Sequence, residues 1–288
     1  MQFTDSHCHL DFPELSKNLP QLLQQCANNN IKRIIVPAVY PEHWQRVISL
    51  HNIKNHSDIE IACALGIHPW FLINHPSTKQ TNKQLELYHK LLAQTVNEQR
   101  KNLIAIGECG IDVFKAKKNT DSEQTFQDNL KLQQDFFEMQ LSIAKEKHLP
   151  VIVHHCQSHH YILPILKQYR LAKAGVIHAF SGSYQQAKSY IDLGFKLGIG
   201  GTITYSRAKK TINAIKRLPI ESLLLETDAP AMPPSGKQGE INTPLSIINI
   251  FQAITSIRTE SALTLSVQLE DNSNQLFFSD INSSANQN

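Results

Sequence analysis

No stretch of the 288 residues approaches 18 consecutive apolar side chains, so no transmembrane helix is expected. The N-terminus lacks a basic region followed by a long apolar run and goes straight into a strand pattern, so no signal peptide is expected either. Cysteines are few. Cys8, Cys26, Cys63, Cys109 and Cys156 are scattered, odd in number and never spaced as CxxC. That excludes a disulfide framework and a zinc-finger spacing, and it favours a reducing compartment, with the cytoplasm as the expected location. Charge is also sparse: 18% of residues are charged and the net charge is +3. Such a mild basic balance does not by itself announce nucleic-acid binding. There is no GxSxG nucleophile elbow, no GxxxxGKS/T phosphate loop, and no GxGxxG after the first strand pattern.

What is present is a soluble, globular composition, 41% hydrophobic, of a length that suits two average domains or one α/β barrel of roughly 250 residues. Strand patterns fall at 3–9, 31–39, 59–68, 103–109, 151–155, 175–180, 195–201 and 222–228. Several, such as IKRIIVPAV and PVIVHH, are near-continuous runs of the kind buried on both faces. Helical patterns lie between them, among others at 18–29, 82–100, 122–148, 184–193 and 208–217, and closing helices are expected at 245–256 and 260–269. Strand then helix, eight times, predicts a TIM (β/α)8 barrel over residues 1–281, with 282–288 a polar C-terminal tail. The Pro/Gly-rich stretch 230–244 reads as a loop over the site.

Seven side chains able to ligate metal close these strand patterns: His7, His9, His68, Glu108, His154, His178 and Asp228. A doubly wound sheet builds its site at one switch point from few strands. Here the candidates come from the first, third, fourth, fifth, sixth and eighth strands, which favours a closed ring with its site at one face. His7 and His9, two apart on a strand, share a face and can chelate a cation or stand as a polar core pair. Glu108, at the end of an apolar strand between Gly107 and Gly110, needs a cation or a strong partner such as an Arg or Lys. His154 is the first polar residue after PVIV; His155, His159 and His160 are expected on the loop and helix beyond. Asp228 can bind metal, accept a proton, or both. Glu226, on the same face, reads as a structural hydrogen-bonding partner. Asp112 reads as structural. Asp5 and Asp11, which flank the His pair, read as a turn residue and a helix cap, or as partners that orient the histidines. Among the basic residues near the seventh strand, Arg207 is a substrate-binding candidate, while Lys209 and Lys210 read as a solvated helix face. The glycines of GIGGTIT mark a place where backbone approaches something closely, such as substrate.

The stretches DSHCHLDFPEL, GIHPW, IGECGID, LPVIVHH, GVIHAFSGS, GGTITYSRAKKT and LLLETDAPAMPPSG, in this order from residue 5 to about 244, resemble the TatD family of metal-dependent hydrolases, and most of all its YjjV-type branch. The resemblance implies a TIM barrel of the amidohydrolase kind and a site for two divalent cations (Zn, Mn, Mg or Fe). It implies a deoxyribonuclease that works as a 3′–5′ exonuclease on single-stranded DNA ends. By motif, His7 and His9 would hold one metal with Asp228, Glu108 would bridge, His154 and His178 would hold the second, and His68 would lie beside the substrate. Asp228 and Glu108 are the catalytic candidates. Two departures stand out. The family's His-Ser-Arg is here His154-His155-Cys156, and its Asn-Glu-Pro is Asn242-Thr243-Pro244. Neither touches a predicted ligand. The rival reading is hydrolysis of an amide, ester or lactone on the same metals. No membrane contact or obligate protein partner is expected.

Overall fold

In a computed structural model, residues 1–51, 53, 58–73 and 81–279 are described. Among them, eight strands run parallel in the order of the sequence. They are β1 (Phe3–Asp5), β2 (Ile31–Pro37), β3 (Glu60–Leu65), β4 (Leu103–Asp112), β5 (Val151–Cys156), β6 (Gly175–Ile177), β7 (Lys196–Ile199) and β8 (Leu223–Leu225). The seam between β8 and β1 is closed by backbone bonds just beyond the two ladders. Ser6 N donates to Leu225 O at 2.9 Å, Asp228 N to His7 O at 2.9 Å and His9 N to Ala229 O at 2.8 Å. The expected TIM barrel is present. The candidate tail at 282–288 lies outside the described residues.

Alternation along the strands sorts side chains between two cores. Ile35, Ala62, Ala64, Ile104, Ile152, Val176 and Leu224 fill the barrel interior, where they meet Leu276, Phe277 and Phe278 from the C-terminal segment. Their neighbours Ile34, Val36, Val151, Val153, Leu223 and Leu225 face the outer layer. That layer is built from helices including Leu19–Asn28, Trp44–His51, Glu123–Lys147 and His159–Tyr169. The last carries Pro164 inside it, which weakens its signal in the sequence. Helices Ile247–Ile257 and Ala262–Ser273 complete the ring, as expected. Among the described residues, no helix is long and apolar enough to cross a membrane.

The Pro/Gly-rich stretch after β8 is a loop, and one residue anchors it. Asn242 Nδ2 donates to Thr227 O at 2.9 Å and Ala231 O at 2.8 Å. The asparagine of the departed Asn-Thr-Pro motif therefore holds the loop against the barrel rim without any carboxylate.

Candidate metal centre

The same alternation that fills the barrel also points the polar residues. Two positions beyond Ile152 comes His154, two beyond Val176 comes His178, and two beyond Leu224 comes Glu226. Each continues the inward face of its strand past the apolar layers, so each arrives at the C-terminal mouth of the barrel. His7, His9, Glu108 and Asp228 meet them there. Three groups bring ligand atoms within 4.8 Å of one another: His7, His9 and Glu108; His7, His178 and Asp228; His68, Glu108 and His154. Glu108 is central and 2% exposed. The side chains of Asp228 and His154 are 15% and 14% exposed, which makes them the solvent-facing side of the cluster. Asp228 sits at φ 56°, a left-handed conformation that aspartate tolerates.

A hydrogen bond decides which nitrogen of His9 is free. His9 Nδ1 faces the Pro37 carbonyl oxygen at 3.2 Å. A carbonyl only accepts, so Nδ1 carries the proton and Nε2 presents a lone pair. That lone pair lies 3.3 Å from His7 Nε2, and 3.6 Å from both Glu108 Oε2 and Asp228 Oδ1. His7 Nε2 is 3.2 Å from Glu108 Oε2. On the other side, His154 stands between two carboxylates, with Nδ1 2.8 Å from Glu108 Oε1 and Nε2 3.3 Å from Asp112 Oδ2. His178 turns Nδ1 to Glu226 Oε1 at 2.9 Å, and its Nε2 lies 3.7 Å from Glu108 Oε1.

His68 behaves differently. Its Nδ1 accepts from Trp70 N at 3.0 Å, so the proton is on Nε2, which donates to Glu108 Oε1 at 3.2 Å. Although its Nε2 lies in ligand range, this tautomer makes His68 a donor at the mouth and not a lone-pair ligand.

Electrostatics agree with a cation site. Burial would raise Glu108, yet His68, His7 and His178 hold it well below the ordinary carboxylate range. Burial opposes charge on His154, yet Asp112 and Glu108 push it up to about 9. His178 is likewise pushed up, against burial, to about 10 by Glu226, Asp228 and Glu108. Burial opposes ionisation of Asp228 too, and His178, His9 and His7 overcome it. In His68 burial wins and lowers it to about 4. So many lone pairs facing one another are tolerable only with protons or cations among them. The donor set, imidazole nitrogens with carboxylate oxygens, is one that divalent metals accept, so the residues fit a metal centre.

Around the cluster, several expectations need correction. Asp5 is no turn residue: it is buried in β1 and accepts from Thr227 N at 2.9 Å and Thr227 Oγ1 at 2.6 Å. Burial pushes it up to about 8. Asp11 caps no helix; it accepts from Arg46 Nη2 at 2.8 Å. His155 belongs to β5, not to a loop, and faces the outer layer against His159, ring to ring at 4.5 Å. The glycines of GIGGTIT approach protein: a Cβ on Gly198 would lie 1.9 Å from Glu226 Oε2, and one on Gly201 2.5 Å from Met232 O. Glu226 is the hydrogen-bonding partner expected, with Ala179 N donating to its Oε1 at 2.6 Å. Asp112 has the structural role expected and also touches the cluster. It caps the helix Val113–Lys118 through Lys115 N at 2.7 Å, takes Trp70 Nε1 at 2.7 Å, and faces His154. Its signal was in β4, where Glu108 and Asp112 are four apart and share a face.

Arg207 stands apart from the cluster. It is exposed, with its guanidinium 4.6 Å over the Tyr205 ring. Both line a pocket of about 440 Å³ together with Ser181, Thr202, Met232 and Pro233, from the loops that follow β6, β7 and β8. Lys209 and Lys210 are exposed at the start of the helix Lys209–Ile215, as expected.

Fold and site together define a metal-dependent hydrolase built on a TIM barrel. The comparisons with known proteins agree. Residues 4–278 match the TatD related DNase family, and the chain belongs to that family. It is 37% identical over 276 residues to the uncharacterised metal-dependent hydrolase YjjV of Escherichia coli K12, covering 96% of this chain and 98% of the relative. A metal-dependent hydrolase of Haemophilus influenzae is 35% identical over 279 residues, covering 96% and 100%. The crystal structure of Escherichia coli YjjV, a TatD homologue, superposes with a TM-score of 0.84 over 96% of this chain and 97% of that one. A TatD family hydrolase of Entamoeba histolytica, 20% identical, shares the fold at a TM-score of 0.79 over 96% and 98%.

Proposed function

We propose that the protein is a cytoplasmic deoxyribonuclease that hydrolyses phosphodiester bonds at single-stranded DNA ends, in 3′–5′ exonuclease fashion, with two divalent cations. The observation that carries this reading is the gathering of His7, His9, His154, His178 and Asp228 around the buried Glu108. His7, His9 and Asp228 would hold one cation and His154 and His178 the other, with Glu108 shared. Zn, Mn, Mg and Fe all suit such mixed ligands. Bound there, the cations would lower the pKa of the attacking water and take up charge on the phosphoryl oxygens.

The chain's own residues then divide the remaining work. Asp228, ionised and on the solvent side of the cluster, accepts the proton of the attacking water. Glu226 and Asp112 hold the imidazoles of His178 and His154 in orientation, as partners of metal-binding histidines do. His68, whose Nε2–H reaches Glu108 Oε1 in this structure, would turn that proton to a substrate oxygen once Glu108 is engaged by the cations. Arg207, steadied on Tyr205, holds a phosphate outside the scissile one.

The test is turnover by purified protein, stripped and reloaded with Mg, Mn, Co or Zn. The substrates are an end-labelled single-stranded oligonucleotide, a closed circular duplex, and a panel of esters and lactones. Nucleotide release from the single-stranded ends is expected. Turnover of a lactone with no nucleotide release under any metal would reject the nuclease reading and leave the amide, ester or lactone reading standing.

A further inference from the structure

We propose that Trp70, with Lys115 beside it, is a stacking platform that holds an unpaired nucleobase of the substrate next to the metal centre. This rests on the deoxyribonuclease reading for the identity of the ring that stacks. Trp70 follows β3 at the mouth and is 40% exposed, whereas Trp44, the other tryptophan of the chain, is 4% exposed. An indole left half open forgoes much of its burial, so a fixed, open ring beside a catalytic cluster suits a flat ligand. The ring is fixed. Its Nε1–H donates to Asp112 Oδ2 at 2.7 Å, and it meets His68 nearly edge-on, 4.9 Å between centroids at 78°. His68 in turn reaches Glu108, so one imidazole separates the indole from the centre of the cluster.

Lys115 Nζ lies over the Trp70 ring, 4.8 Å from its centroid, and among the described residues Lys115 forms no ion pair. The ammonium over the ring marks a face that accepts a ligand, and a nucleotide matches it if its base takes the indole while the flexible lysine stem carries the ammonium to the phosphate. Stacking tolerates any base, which suits an enzyme that takes in splayed ends regardless of sequence. The plain alternative is that Trp70 serves only to hold Asp112 through its Nε1–H.

The two roles separate on substitution, because Trp70→Phe keeps a stacking ring and loses the bond to Asp112. The substrates are an eight-residue oligothymidylate and the same oligomer with abasic residues at its last three positions. On the first, Trp70→Ala should lower kcat/KM about 5- to 150-fold and Trp70→Phe should recover most of it. On the abasic oligomer the wild type should already be slow and Trp70→Ala should cost no more. Equal losses in the Ala and Phe variants, or equal losses on both oligomers, would overturn the platform. Fluorescence gives a readout free of turnover. Thymidine 5′-monophosphate should quench the wild-type tryptophan emission and leave that of Trp70→Phe, which reports only buried Trp44, unchanged; no quenching of the wild type would also overturn the proposal. If the wild type released no nucleotide from either oligomer, the nuclease reading would fail separately, and the quenching titration alone would decide the platform.

Discussion

Gly198→Ala should disable the metal centre without touching any candidate ligand. The added Cβ would sit 1.9 Å from Glu226 Oε2, so the carboxylate must retreat by about 1.5 Å to reach ordinary contact. Glu226 cannot retreat freely. Its Oε1 is held by Ala179 N at 2.6 Å and lies 2.9 Å from His178 Nδ1, and its side chain is fully buried. A shift of that size breaks at least one of the two contacts and releases His178 from its orientation. Loss of such a supporting partner costs roughly 10- to 100-fold in metal affinity or activity, and overpacking of this kind costs about 1–3 kcal/mol of stability. The assay is metal titration and thermal unfolding of Gly198→Ala, Glu226→Ala and the double variant. Because the clash is with Glu226 itself, the glycine substitution should cost little more once that side chain is gone, a strongly non-additive cycle. Additive losses, or a Gly198→Ala protein with native metal affinity, would refute the reasoning.

His7→Ala and His9→Ala should each abolish hydrolysis and lower bound metal by elemental analysis, with a cooperative unfolding transition retained, since both lie beyond the packed barrel layers. Asp228→Asn should cost ~10²–10⁴-fold in kcat with metal still bound, because an amide oxygen can ligate but accepts a proton poorly; near-native kcat would remove its role as base. Stripping the metals with chelator should lower the melting temperature, and reloading at about 100 times Kd should restore about 2.7 kcal/mol per site; an unchanged melting point would argue against a bound cation. Binding of single-stranded DNA should depend weakly on salt, with a log–log slope near −0.7 for each of a few phosphate contacts, as the net charge of +3 suggests.

The barrel and the gathering of the candidate ligands at one mouth are legible in the sequence for one physical reason. Strands buried on both faces read as continuous apolar runs, and the first inward polar residue after each run lands at the mouth. His154 after Ile152 and His178 after Val176 follow that rule directly. What is not legible depends on contacts across long separations. Residues 6–9 and 226–228 continue the strand pattern, yet the ladders stop at Asp5 and Leu225, because their backbone groups turn to close the seam. Asp5 reads as a turn residue until Thr227, 222 positions away, supplies its partner. Gly198 looks like a substrate contact until Glu226 is seen pressed against it. Trp70 gives no periodic signal, since it sits in the short helix Pro69–Ile73 after β3 and its importance lies in what its ring faces.

The central claim is that Glu108 is shared by two cations. The most direct measurement is a metal-loaded crystal structure with anomalous scattering at each metal's edge. Two ions roughly 3.5–4 Å apart, one beside His7, His9 and Asp228 and one beside His154 and His178, with an oxygen of Glu108 on each, are the expected result. A single ion at saturating metal, or Glu108 turned away from both, would contradict the account.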